Sequence, residues 1–129
     1  MKTFERLRTW QNARKIVAEV YKLTSSFPAE ERFCLTQQIR RAILSVISNI
    51  AEGSGRLSGK DQAHFYSMAY SSLLEVDCQL IIAIDLNYMD ERNYQSIQEK
   101  LEFLARQISQ LRKSTQNTPL TTTPLSPKL

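Results

Sequence analysis

His64 is the single histidine of the chain, so a Cys-His pair, a Ser-His-Asp triad or a histidine-containing metal set within one chain has to use it. Asp61 precedes it by about one helical turn, which puts the two on one helix face. That carboxylate–imidazole spacing is half of a di-iron arrangement, which needs a second such pair and two more inward glutamates. The sequence has no second histidine to supply it. Cys34 and Cys78 lie far apart with no Cys-x-x-Cys spacing, and both fall in helical patterns, so they read as packing residues. Gly53 and Gly55 follow a helical stretch and lack the Lys and Ser/Thr of a phosphate-binding loop. The residues therefore predict a protein that is not an enzyme, with no metal and no cofactor.

The cations offer more. Residues 1–60 hold 11 Lys/Arg against 5 Asp/Glu, and residues 61–129 hold 6 against 8. Such asymmetry can draw an anionic partner to one end, or bring one copy's basic half to another's acidic half. Arg40 and Arg41 stand side by side on the second helix and point away from its apolar line, Arg56 and Lys60 flank the turn that follows, and Arg8, Arg14, Lys15 and Lys22 line the polar side of the first helix. Cations on an outer face can neutralise the phosphates of RNA or DNA, with Arg preferred for forked contacts. The bland alternative is an ordinary soluble surface with intramolecular pairs.

Stepping from side chains to the elements that carry them, the chain has three Gly and four Pro, three of the latter after residue 118. Strand-rich folds need more punctuation. Trp10, Ala13, Val17, Val20 and Thr24 recur at helical steps and predict a first helix from Thr9 to Thr24, stopped by Ser25, Ser26, Phe27 and Pro28. Leu35, Ile39, Ala42, Ile43, Val46 and Ile50 predict a second from Phe33 to Gly53. Ser58 with Asp61 resembles a capping box opening a third from Gly59 to Leu86, with Phe65, Ala69, Leu73, Val76, Leu80 and Ala83 on its core face. Asp90 caps a fourth, in which Tyr94, Ile97, Leu101, Leu104, Ile108 and Leu111 alternate three- and four-residue steps. Short connections predict an all-α, antiparallel up-down-up-down four-helix bundle over residues 1–113. The Thr/Pro-rich stretch 114–129 reads as a disordered tail. No run approaches the roughly 18 apolar residues of a membrane span, so the expected location is a reducing cytoplasm, with no membrane partner.

A second apolar line, Tyr70, Leu74, Ile81 and Tyr88, lies about 100° to 140° from the core face of the third helix, with a smaller counterpart in Leu44, Ile47 and Ala51 on the second. Two readings stand: a broad core edge or scattered exposed hydrophobes, common on soluble proteins, or a subunit interface of a self-assembling protein. Asp77, beside this line, is placed either on a solvated face or to meet an Arg of another subunit. Asn49 can bond across helices or to a neighbouring subunit, or it can join Glu52 in a polar contact near the helix end.

Phe4-Glu5-Arg6-Leu7 with Trp10, Gln11 and Ala13, then Leu35-Thr36-Gln37-Gln38-Ile39-Arg40-Arg41-Ala42, then Ser48-Asn49-Ile50-Ala51-Glu52-Gly53, and Phe65, Ser72-Leu73 and Glu75 in order, resemble the family called four helix bundle proteins, also known as the 23S ribosomal RNA intervening-sequence proteins. The resemblance spans about residues 4 to 112. It implies four antiparallel helices assembled into a homopentameric, barrel-like ring, and either an association with ribosomal RNA gene insertions or an accessory role in diversity-generating retroelements, where a basic pentamer binds nucleic acid and a reverse transcriptase. Neither role involves catalysis by the bundle. Three positions depart from the family. Ile47 stands where Pro is frequent, which predicts a straighter second helix. Tyr70 and Ser67 stand where basic residues are frequent, which leaves Arg40, Arg41, Arg56 and Lys60 as the cations to test. The rival reading is a protein–protein interaction scaffold with no nucleic-acid role.

Overall fold

A computed structural model describes residues 1–117, with side-chain surroundings for residues 1–115. Among the described residues there are four α-helices and no strand: α1 (Arg8–Thr24), α2 (Leu35–Ser54), α3 (Gly59–Asp85) and α4 (Glu91–Asn117), with short 3-10 turns at Thr3–Arg6 and Ala29–Glu31. The fourth helix passes the boundary expected at residue 113; most of the expected tail lies outside the described residues.

Local chemistry sets the ends. The Ser58 hydroxyl accepts from the Asp61 N–H at 3.1 Å and opens α3, and the Asp90 carboxylate accepts from the Asn93 N–H at 2.7 Å at the start of α4. Each satisfies a donor that the first helical turn leaves without a partner. At α2 the N-cap residue, Cys34, makes no side-chain cap. The carboxylate of Glu31, from the preceding turn, takes the Leu35 N–H at 3.2 Å instead, where the helix dipole favours a negative charge. Its other oxygen accepts from the Tyr88 hydroxyl at 2.7 Å, so one side chain joins the start of α2 to the turn between α3 and α4. That turn closes through Asn87 at φ 65°, a left-handed conformation that Asn tolerates better than most residues.

Paired side chains set the helix neighbours. Gln38 meets Gln79 and Ser45 meets Ser72, so the partners descend along α3 as they ascend along α2. Ser67 with Arg112 and Asp77 with Tyr94 relate α3 to α4 in the same sense, as do Asn12 with Gln107 and Glu19 with Lys100 for α1 and α4. The core between them is lined by Ala13, Ile16 and Val20 of α1, Ile39, Ile43, Val46 and Ile50 of α2, Ala69, Leu73, Val76, Leu80 and Ala83 of α3, and Ile97, Leu101, Leu104 and Ile108 of α4. The apolar lines of α2 and α4 expected from spacing are these lines.

Three expectations require correction. On α1 the buried line runs through Thr9, Ala13, Ile16, Val20 and Thr24, with Trp10 and Val17 at its edge. On α3 Tyr66 is buried and Phe65 is only half-buried. A Cβ built on Gly53 would stand 2.6 Å from Tyr66 Cε1, so the missing side chain on α2 is the space the Tyr66 ring fills. Phe65 turns outward instead, beneath the Arg56 guanidinium at 4.5 Å. Cys34 and Cys78 are both free and exposed, not packing residues: Cys34 sits in the turn entering α2, and Cys78 falls opposite the buried line of α3 at 100° per residue.

Candidate nucleic-acid interface and assembly face

Of the six cations expected to meet nucleic acid, two are engaged within the bundle. Arg40 is half-buried and is not a free outward cation: its Nε donates to Thr24 Oγ1 at 2.9 Å, Nη2 donates to the Tyr21 carbonyl at 3.2 Å, and the guanidinium lies 4.6 Å from the Tyr21 ring centroid. Thr24 passes the hydrogen bond on to the Val20 carbonyl at 2.8 Å. Arg40 thus caps the end of α1, where unpaired carbonyls favour a positive group. Arg56 pairs with Glu52 at 2.6 Å besides covering Phe65. The contact expected between Asn49 and Glu52 does not form, since Asn49 bonds to Ser45 instead.

The other four remain outward. Lys15, Arg41 and Lys60 are exposed, and none takes part in the three ion pairs found among the described residues; Arg14 rests over Trp10 at 5.7 Å. Arg8, Lys15 and Lys22 are likewise exposed and unpaired. They fall seven residues apart on one side of α1, at intervals of about 10.5 Å. Glu19 is the only acid of α1, and Lys100 neutralises it. The outer face of α1 is therefore a line of uncompensated positive charge.

The second apolar line divides. Leu74 and Ile81 are exposed at 56% and 42%. Tyr70 and Ile47 are half-buried against the core, and the N-terminal turn covers part of the α2 counterpart, where Phe4 lines one shallow hollow with Ala51; Leu44 alone stays open there. Tyr88 does not belong to the line. It lies beyond the end of α3, packs 5.7 Å from Phe27 and donates to Glu31. Spacing missed Ile82, 43% exposed, and the outward Cys78. Leu74, Cys78, Ile81 and Ile82 make one continuous apolar surface on α3. By length and composition alone α3 is apolar enough to cross a membrane, although it holds no unbroken apolar run of that length. Its polar pairs nevertheless tie it into the bundle: Asp77 accepts from Tyr94 at 2.7 Å instead of standing free for another subunit. Burial and this bond raise the Tyr94 pKa.

Among the described residues no cluster of three or more His, Cys, Asp or Glu side chains is placed to hold a metal. His64 is exposed and stacks edge-on to Phe65, 5.3 Å away.

These features define a helical-bundle protein with a basic helix on one side and an apolar helix face on another. The chain belongs to the 23S rRNA-intervening sequence protein family, whose pattern it matches over residues 5–110. The fold is similar to that of the crystal structure of a protein of unknown function from the S23 ribosomal protein family of Bacteroides thetaiotaomicron VPI-5482. The TM-score is 0.73 at 19% identity, over 81% of this chain and 98% of that one. No match is found among curated proteins.

Proposed function

We propose that this chain is a non-catalytic, self-assembling bundle of up-down-up-down topology that binds RNA or DNA through the cations of α1 together with Arg41 and Lys60. The carrying observation is the run of exposed cations without acidic partners on α1, because a surface that neutralises phosphates gains affinity from released counterions. Assembly uses Leu74, Cys78, Ile81 and Ile82 of α3, since an exposed apolar surface of this continuity is characteristic of association sites. The family resemblance supports a homopentameric ring and an accessory role beside ribosomal RNA insertions or a reverse transcriptase, and the free thiols of Cys34 and Cys78 fit a reducing cytoplasm.

The test is mass by light scattering after size exclusion, with and without a short RNA or DNA, at low and high salt. An assembly of several subunits that binds nucleic acid with an affinity falling steeply as salt rises carries the proposal. A monomer that ignores nucleic acid at low salt overturns it. The apolar face of α3 also favours a second reading, a scaffold for a protein partner alone; assembly that persists with no nucleic-acid affinity at any salt selects it.

A further inference from the structure

We infer that the outer groove between α2 and α3 receives an unpaired nucleotide of a single-stranded polynucleotide, with Asn49, His64 and Ser71 meeting its base and sugar. The inference rests on the nucleic-acid reading above and adds strandedness and the residues that sense it.

The outward surface of α3 changes character along its length. Leu74, Cys78, Ile81 and Ile82 are apolar, whereas the preceding turns carry His64, Ser67 and Ser71, and these face Ser45 and Asn49 of α2 across a groove of about 350 Å³. A space of that size lies within the range of about 300–1,000 Å³ typical of small-ligand sites. The hollow is shallow and open to solvent, and it is comparable in size with a single nucleotide.

Its polar groups are held in place and partly uncommitted. Asn49 Nδ2 donates to the Ser45 carbonyl at 2.8 Å and to Ser45 Oγ at 3.1 Å, and Ser45 Oγ shares a hydrogen bond of 2.9 Å with Ser72 Oγ across the helices. With its nitrogen used twice, the Asn49 carboxamide presents its oxygen as a fixed acceptor. Ser71 is exposed, and its hydroxyl makes no hydrogen bond among the described residues. The His64 ring, braced edge-on by Phe65, offers a planar face of the kind on which bases stack. Fixed acceptors, hydroxyls and one aromatic face suit an unpaired base and a sugar hydroxyl, which a duplex keeps inside the helix or along its shallow groove.

Charge marks the two ends. Arg41 stands one turn before Ser45 on α2, and Lys60 one turn before His64 on α3. With Ser45 opposite Ser72, the two cations are about 24 Å apart along the groove at 1.5 Å per residue. Both are exposed and unpaired; of the acids beside the groove, Glu52 pairs with Arg56 and Glu75 accepts from the neutral Gln79, while Asp61, next to Lys60, is exposed and makes no ion pair. A backbone running along the groove therefore meets a cation at each end.

The experiment measures fluorescence anisotropy of a short labelled single-stranded RNA and of the same sequence as a duplex, with the full chain, His64→Ala and Ser71→Trp. Assembly mass is checked for each variant, and the bound strand is crosslinked by ultraviolet light before tryptic mapping. The segment Asp61–Arg92 carries no internal Lys or Arg, so it reports the α3 side of the groove as one peptide, and Ala42–Arg56 reports the α2 side. The expected results are preference for the single strand, loss of about tenfold in its affinity in each variant, and crosslinks in these peptides. His64→Ala removes an exposed ring and decides the matter if Ser71→Trp disturbs assembly. Equal or better duplex binding, or unchanged variants with crosslinks confined to α1, overturns the groove and leaves the nucleic-acid reading intact. No binding of either RNA by the unmodified chain overturns both.

Discussion

Two single residues hold much of what packing requires. Gly53 is a poor helix former, and replacing it with Ala on propensity alone would stabilise α2 by about 1 kcal/mol. The added Cβ would instead meet Tyr66 at 2.6 and 2.9 Å, so this buried ring would have to shift. Gly53→Ala is therefore expected to destabilise the fold by about 1–3 kcal/mol, read as a lower urea midpoint. Tyr94 is the other. Its hydroxyl gives a short bond to Asp77, and Tyr94→Phe should cost about 1–2 kcal/mol, within the range for a bond to a charged group that is only partly shielded from water. The same bond fixes a pH dependence. Burial and the Asp77 bond raise the Tyr94 pKa in the folded state, so the folded protein holds this proton more tightly than the unfolded chain. That contribution is complete below the unfolded phenol value of about 10 and is lost as pH rises beyond it. The urea midpoint should stay level from pH 7 to 9, fall above about pH 10, and fall less steeply in Tyr94→Phe. Tyr66, raised by burial, and Tyr88, raised first by its bond to Glu31, act in the same direction.

The elements depend on charged groups borrowed from their neighbours. Arg40 of α2 adds a charged donor to the Tyr21 carbonyl at the end of α1, and Glu31 of the preceding turn takes an N–H at the start of α2. Arg40→Ala leaves Thr24 Oγ1 without the donor it accepts from and removes one of the bonds to the Tyr21 carbonyl, which keeps the Ser25 N–H at 3.1 Å, and should cost about 1–3 kcal/mol. Arg40→Lys should restore little of it, because a single ammonium cannot reproduce two forked bonds and a stacked plane. Thermal denaturation followed by circular dichroism checks both, with a fall in Tm of several degrees expected for each. A loss of nucleic-acid affinity in Arg40→Ala that tracks its loss of stability reports this capping role and not a phosphate contact.

For the whole molecule, the unusual helix is α3. It is the central partner of both α2 and α4, and it also carries Leu74, Ile81 and Ile82 exposed on its outer side. Leu74→Glu with Ile81→Glu places two charges on that outer face, away from the core line of Leu73, Val76 and Leu80. The expected outcome is unchanged helical circular dichroism and a mass near the 14.9 kDa of one chain. An assembly that survives this pair of substitutions would move the interface elsewhere. The cations of α1 lie on a different helix, so the same variant is expected to keep its salt-dependent affinity per subunit while losing any gain from multivalency.

Number, type and approximate ends of the four helices were legible in the chain because they follow from local rules: apolar spacing at 3.6 residues per turn, Ser58 and Asp90 at helix starts, and few glycines and prolines. The core lines of α2 and α4 and the exposure of Leu74 and Ile81 were legible for the same reason. What depended on tertiary structure was the choice between neighbours about 100° apart on a helix. Hydrophobicity favours Phe65 over Tyr66, but the space opposite Gly53 accepts Tyr66. Arg40 and Arg41 are identical in type and adjacent in sequence, yet one reaches the carbonyls ending α1 and the other meets water. Cys34 and Cys78 fit helical patterns and still face outward, and Tyr88 leaves its line because α3 ends before it. The groove at Asn49, His64 and Ser71 exists only once α2 and α3 lie side by side, since its groups come from two helices whose register is set by the core between them. Periodicity reports that a helix has a buried side; which residues at the margin of that side are covered depends on the shape of the neighbour, and that shape is not local information.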